Sequence, residues 1–353
     1  MGLLTVPGTD TSQVSDDSST GFVVPSGWRA ALGVAAAVLL VVGVGLLLAR
    51  AAGFSEVRDA IERADSTWFA VCLAAQALAL TAYAQVFRGG FAWRGGPDPG
   101  FRLSAHVMLA SIGATRVFAA GGVGAIAVTY WCFRRARFSA DDALVRVLGF
   151  NTLFYVAFAV GAWTAALVAA TGVWGDAPAA FTTPWLVLVP LCVAAAVLLT
   201  QPGRVERVTA PTGSFIRRAL AYAIAGVAWV RAVLPDPAGR RMLAATVLYW
   251  TGNVLCLWAS LRSVGVSLPL PELLLAFAAG HAATILPLPL GGVGGVDAAM
   301  TYALTAVGVP LALALVAVGV YRLFSFWAPT VPALAALLLV PRAGGRLALL
   351  ERP

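Results

Sequence analysis

The sequence predicts an all-α, polytopic transmembrane bundle with two re-entrant, broken-helix hairpins related as an inverted repeat. Three observations lead there. Of the 353 residues, 60% are hydrophobic and 11% charged, with a mean hydropathy of +0.86, which lies outside the range of soluble domains. Apolar runs of about 20 residues, the length that crosses a hydrocarbon core, end repeatedly at arginines. Finally, two of these runs are interrupted by glycine-rich stretches where a continuous helix is costly.

The elements follow in chain order. Residues 1–27 are rich in Ser, Thr, Asp and Gly and lack a basic segment ahead of an apolar core, so they read as a disordered tail and not a signal peptide. Residues 28–342 form the transmembrane domain, opening with a span over 30–49 bracketed by Arg29 and Arg50. Phe54, Val57 and Ile61 share one face of a short surface helix. A second span covers 67–87, and a turn-rich loop leads to Arg102. The 31 residues from Leu103 to Phe133 have arginines at both ends, so the charge rule places both ends in the cytoplasm and makes this segment enter and return. Ser139 caps a helix with Asp141 and Asp142 in its first turn; that helix continues as an apolar span to about residue 173. A span over 184–200 precedes the most basic stretch, whose middle, 215–234, reads as an amphipathic helix on the cytoplasmic leaflet. Residues 243–263 cross back, 272–307 form the second broken segment, and 310–340 make one kinked span or two short ones. A single span leaves 343–353 as a short cytoplasmic tail, the choice that the charge rule favours.

The breaks organise the functional reading. The first is Ala119-Ala120-Gly121-Gly122-Val123-Gly124-Ala125-Ile126, beside Arg116. The second is Pro287-Leu288-Pro289-Leu290-Gly291-Gly292-Val293-Gly294-Gly295-Val296-Asp297, and Gly121 and Gly291 are 170 residues apart. Non-helical backbone persists at membrane depth only where it is buried in protein or lines a wet cavity. Three expected spans separate the breaks, an odd number, so the hairpins enter from opposite faces, as in transporters built from inverted repeats.

Charges at that depth are expensive and mark function by default. Arg116, Asp297 and Arg322 are the embedded charges. Two arginines and the free N–H groups of broken helices are what an anionic headgroup needs; an internal ion pair, Asp297 with Arg322 or with Arg116, is the competing structural explanation. The candidate substrate-binding set is Arg116, Asp297, Arg322, Gly121, Gly122, Gly124, Gly291, Gly292, Gly294, Asn151 and Tyr321, with Thr115, Asn253 and Thr284 as further polar residues for the same cavity. His106 and His281 are expected to satisfy backbone carbonyls.

Other chemistries find little support. Gly122-Val123-Gly124-Ala125-Ile126-Ala127 fits a dinucleotide fingerprint formally, but no strand precedes it and none ends at an acid beyond it. The chain has 24 arginines and no lysine, but they cluster at span ends and form no basic face interleaved with aromatics, so no nucleic-acid partner is expected. The four cysteines have no CxxC spacing, and two histidines cannot build a metal site without carboxylates, so no metal or cofactor is expected. No nucleophile, acid or base constellation stands out, and the chain is read as a non-enzyme.

The second break, followed by Gly308-Val309, Tyr321-Arg322-Leu323 and Trp327-Ala328-Pro329, resembles the C-terminal signature of the lysylphosphatidylglycerol synthase transmembrane region, a flippase-like family of membrane proteins. The resemblance spans about 28–342. It implies a lipid-binding or lipid-translocating membrane domain. Asp297 stands where the family's usual acid is glutamate, and the first break lacks the proline and glutamate that relatives often carry. Members fused to a cytosolic aminoacyl-transferase domain both make and move aminoacylated phospholipid; with no such domain before Pro353, only the translocating half is implied. The expected function is that of a multi-pass plasma-membrane protein moving or binding an anionic or polyprenyl-linked lipid, with Arg116 and Arg322 on the phosphate and Asp297 balancing them. The alternatives are a membrane enzyme acting on a lipid-linked substrate and a scaffold for an envelope glycosyltransferase or aminoacyl-lipid synthase.

Overall fold

The computed structural model describes residues 51–117, 122–174, 177–201, 215–285 and 294–350, with a few positions between 39 and 50; the side chains of 215–220, 222, 223 and 285 are not described. The expected tail over 1–27, most of the first span and the centres of both breaks, including Gly121, Gly291 and Gly292, lie outside these residues.

Among the described residues the fold is entirely helical, as the composition predicts. A short helix, α1 (Phe54–Glu62), keeps Phe54 and Ile61 exposed. Long spans follow as α2 (Thr67–Ala92), α5 (Ala140–Ala170), α6 (Ala179–Leu199) and α8 (Pro237–Ser263), each long and apolar enough to cross a membrane. Between α2 and α5 lie α3 (Gly100–Val117) and α4 (Val123–Arg135), the two arms of the first broken segment. Ser111 on α3 and Thr129 on α4 share a hydrogen bond of 2.9 Å, so the two arms pack side by side. The second broken segment repeats the plan with α9 (Leu270–Ala282), a 3-10 turn over Ala283–Ile285 and α10 (Gly295–Ala306). A Cβ on Gly280 of α9 would stand 2.7 Å from Cβ of Met300 on α10, so these arms pack at backbone distance.

The last span settles the alternative left by its prolines. Helix α11 (Leu311–Arg322) runs through a π-helical turn, Leu323–Trp327, into α12 (Ala328–Leu338), giving one continuous span. Pro329 has no N–H to offer the carbonyl of Ser325, and its ring crowds that carbonyl, so the wider turn sits where the α pattern fails. The Thr330 hydroxyl donates to the Phe326 carbonyl at 2.6 Å and satisfies a neighbouring acceptor.

Packing adds detail to two expected elements. Helix α7 (Phe215–Val233) forms where the amphipathic helix was expected, but its inner face docks into protein: Trp229 is fully buried and sits so close over Gly149 that a Cβ there would lie 2.3 Å from the ring. The expected C-terminal tail begins inside α13 (Val340–Ala348), where Val340, Ala343, Gly344 and Leu347 make a buried stripe against α3 and α4, and Arg342 and Arg346 stay exposed. A stripe at i, i+3, i+4 and i+7 is the ordinary signature of a docked helix, here hidden in a short, arginine-rich segment.

Arg146 was not singled out by its sequence context. Nearly fully buried on α5, it donates to the Gly90 carbonyl at 2.6 Å and to Asp142 at 3.1 Å, and stacks on Phe138. Asp142 also takes part in the start of α5, where its backbone N–H donates to the Ser139 cap at 3.2 Å. One large core gathers around Phe91, Phe133, Phe150 and Trp229, and another around Phe277, Met300, Leu257 and Tyr321.

Candidate functional site

The space between these cores is a cavity of about 300 Å³. Both broken segments reach it. Thr115 and Arg116 close the last turn of α3, Gly122 and Ala125 open α4, and His281 and Thr284 come from the end of α9 and the turn after it. Gly122 has φ 88°, a backbone conformation open to glycine and strained for other residues, and it starts α4 immediately after the break. Asn151 adds an amide to the wall while donating to the Val147 carbonyl at 2.9 Å.

The remaining wall is aromatic. Tyr83, Phe154 and Tyr249 form a cluster with ring centroids 4.8–5.1 Å apart, and Phe158 and Trp250 adjoin it at 4.7 Å from each other. Trp250 is fixed by donating its indole N–H to the Phe154 carbonyl at 3.0 Å. Sequence reasoning missed this wall, although Phe150, Phe154 and Phe158 recur every four residues and therefore share one face of α5.

Among the described residues, Arg116 is the only charged one lining the cavity. Its guanidinium lies 3.6 Å from the ring centre of Phe326, and its Nε is buried without a hydrogen bond. Among the described residues no carboxylate pairs with it. Arg322, one helix turn before Phe326, stands 5.4 Å from the same ring on its own account, but its Nε donates to Asp297 Oδ1 in a tight ion pair. The other carboxylate oxygen, Oδ2, accepts the Gly294 N–H at 3.0 Å and closes the N-terminus of α10.

These placements divide the expected site. Arg116, Gly122 and Asn151 line the cavity, with Thr115 and Thr284. Asp297, Arg322 and Gly294 belong to a neighbouring lock that joins α10 to α11, so Asp297 balances one arginine and not both. Tyr321 is buried in the core against Phe277, and Gly124 is buried inside α4; neither lines the cavity. His281 directs Nδ1 to the Phe277 carbonyl at 3.1 Å, and the His106 ring faces the Ala336 and Leu339 backbone, both as expected.

The paired breaks, the acid at the start of α10 and the arginine before the π turn are carried by residues inside one matching stretch: the family model for the lysylphosphatidylglycerol synthase TM region matches residues 34–333. The chain belongs to that family. It is therefore an integral membrane protein of the lysylphosphatidylglycerol synthase TM region family, as the resemblance of its second break implied. Comparison with curated proteins gives no significant match.

Proposed function

We propose that this chain binds the headgroup of an anionic or polyprenyl-linked lipid in the aromatic cavity and carries it between leaflets of the plasma membrane. The observation that carries the reading is Arg116, a guanidinium with no carboxylate partner among the described residues, on a wall built from the ends of two broken helices. A buried, unpaired charge is costly, and a ligand phosphate accepting hydrogen bonds from it supplies the missing counter-charge. Asn151, His281 and Thr284 offer polar contacts to the rest of the headgroup, and the aromatic rings provide faces for its apolar or sugar portions.

Three long spans, α5, α6 and α8, lie between the broken segments. With each crossing once, the two hairpins are re-entrant from opposite faces and their ends meet at one cavity, the arrangement that alternating access uses. This reading assigns no bond-making step to the chain. Reconstitution into liposomes with a fluorescent phosphatidylglycerol analogue tests it: wild-type protein is expected to move the probe between leaflets, and Arg116→Gln to abolish movement while remaining folded. Equal movement by both proteins, or modification of the headgroup in place of movement, would overturn it.

A further inference from the structure

A second cavity of about 210 Å³ adjoins the first, and Tyr83, Thr115, Arg116, Ala125 and Tyr249 line both. Its remaining wall is polar, with Gln76, Ser111, Asn253 and Ser325 among its residues. The amides there are partnered: Gln76 gives one N–H to Asn253 Oδ1 at 3.4 Å and also bonds Cys256, and Asn253 gives one N–H to the Tyr249 carbonyl at 2.9 Å and also bonds the Tyr249 side chain. Two other donors have capacity left over. The Ser325 hydroxyl lies beside that of Tyr321 but makes no well-formed hydrogen bond, and Arg116 Nε is likewise unmet. Among the described residues, no carboxylate lines either cavity.

We infer that this polar chamber is a site for a small inorganic anion of halide size, held between Arg116 on one side and the Ser325 hydroxyl on the other, with the Gln76 and Asn253 amides forming the rest of its polar wall. Charge sets the sign of the occupant. Arg116, Arg322 and Asp297 together carry one excess positive charge, and a buried excess charge is stabilised by one monovalent anion. Access sets its size. The wall of the aromatic cavity includes Tyr155, whose side reaches the surface at 55% exposure, so a headgroup tethered to acyl chains has a way in. None of the described residues lining the polar chamber is exposed, which suits an untethered ion. Both chambers draw on the same guanidinium, so anion and headgroup weaken each other's binding; the anion serves as the counter-charge of Arg116 when the headgroup is elsewhere.

The test uses purified full-length protein in detergent with sodium gluconate exchanged for chloride or bromide at constant ionic strength. Wild type is expected to show a saturable, halide-dependent rise in melting temperature, lost in Arg116→Gln. Ser325→Ala, which changes only the polar chamber, is expected to weaken the halide response about tenfold, the loss of one hydrogen bond to an ion, with phosphatidylglycerol binding unchanged. Bromide anomalous scattering between Arg116 and Ser325 in crystals would support the site independently of whether Arg116→Gln folds. Indifference to the choice of anion, an unaltered halide response in Ser325→Ala, or protection by phosphatidylglycerol nanodiscs but never by halide would overturn it. The last result leaves the lipid reading intact, whereas halide binding without lipid movement would remove that reading and spare this one.

Discussion

The two broken segments share a plan and differ in how they handle charge. In the first, Arg116 ends α3 against an aromatic ring and faces two cavities with no carboxylate beside it among the described residues. In the second, Asp297 begins α10 already committed, one oxygen to Arg322 and the other to the Gly294 N–H. The difference teaches that a glycine break at membrane depth does not by itself make a binding site. The lone charge has no counter-charge and leaves capacity for a ligand, whereas the ion pair, although Arg322 Nη2 is also buried without a hydrogen bond, joins α10 to α11.

The comparison breaks most visibly if the lock is opened. Asp297→Asn leaves Arg322 buried without its counter-charge and weakens the cap of α10, so stability is expected to fall by about 3–5 kcal/mol, read as a lower melting temperature in detergent. Arg116→Gln removes a charge that has no partner and is expected to leave stability unchanged or slightly raised, while headgroup affinity falls at least about tenfold in a lipid-binding assay. Equal destabilisation by both changes would erase the distinction.

Phe326 touches both guanidinium groups, so Phe326→Leu sharpens the comparison. It is expected to cost about 1–2 kcal/mol through lost cation–π contact and packing, and to reduce headgroup binding in the aromatic cavity by loosening Arg116. A control lies outside the site on α3. A Cβ on Gly113 would stand 2.3 Å from the Ala333 carbonyl oxygen of α12, so Gly113→Val must push backbone apart and is expected to cost roughly 1–3 kcal/mol. The melting curve of each variant checks these values.

Much of this architecture was legible from hydropathy and punctuation. Apolar runs between arginines marked long helices, Ser139 announced a helix start, and two glycine clusters fell between paired short helices, because burial and capping leave direct traces in residue choice. The assignment of partners was not legible: Asp297 could have joined Arg116 or Arg322, and only packing decides that. The aromatic wall stayed hidden because Phe150, Phe154 and Phe158 look like any lipid-facing stripe in an apolar run. The π turn before Pro329 and the docked faces of α7 and α13 depend on tertiary neighbours that a local pattern does not name.

The smallest expected effect is at the surface, where the chain enters α3. Three hydrogen bonds from Arg88, at 2.7, 2.8 and 3.2 Å, hold the Asp98 carboxyl below the usual carboxylate range, and the Gly100 N–H adds a fourth. A carboxyl with a depressed folded-state pKa stabilises above its unfolded value and loses that contribution as pH falls through the folded one. The pair is nearly half exposed, so Asp98→Asn at neutral pH is expected to cost no more than a few tenths of a kcal/mol, with the difference from wild type vanishing in acid. Melting temperatures of the two proteins across acidic pH check the sign.

The most direct measurement is native mass spectrometry of gently purified wild type beside Arg116→Gln and Asp297→Asn. Wild type should retain about one anionic lipid per chain; Arg116→Gln should retain none while staying folded; and whatever Asp297→Asn remains folded should keep its lipid. Retention of the same lipid by Arg116→Gln, or its selective loss from folded Asp297→Asn, would contradict the assignment of the headgroup to the unpaired arginine.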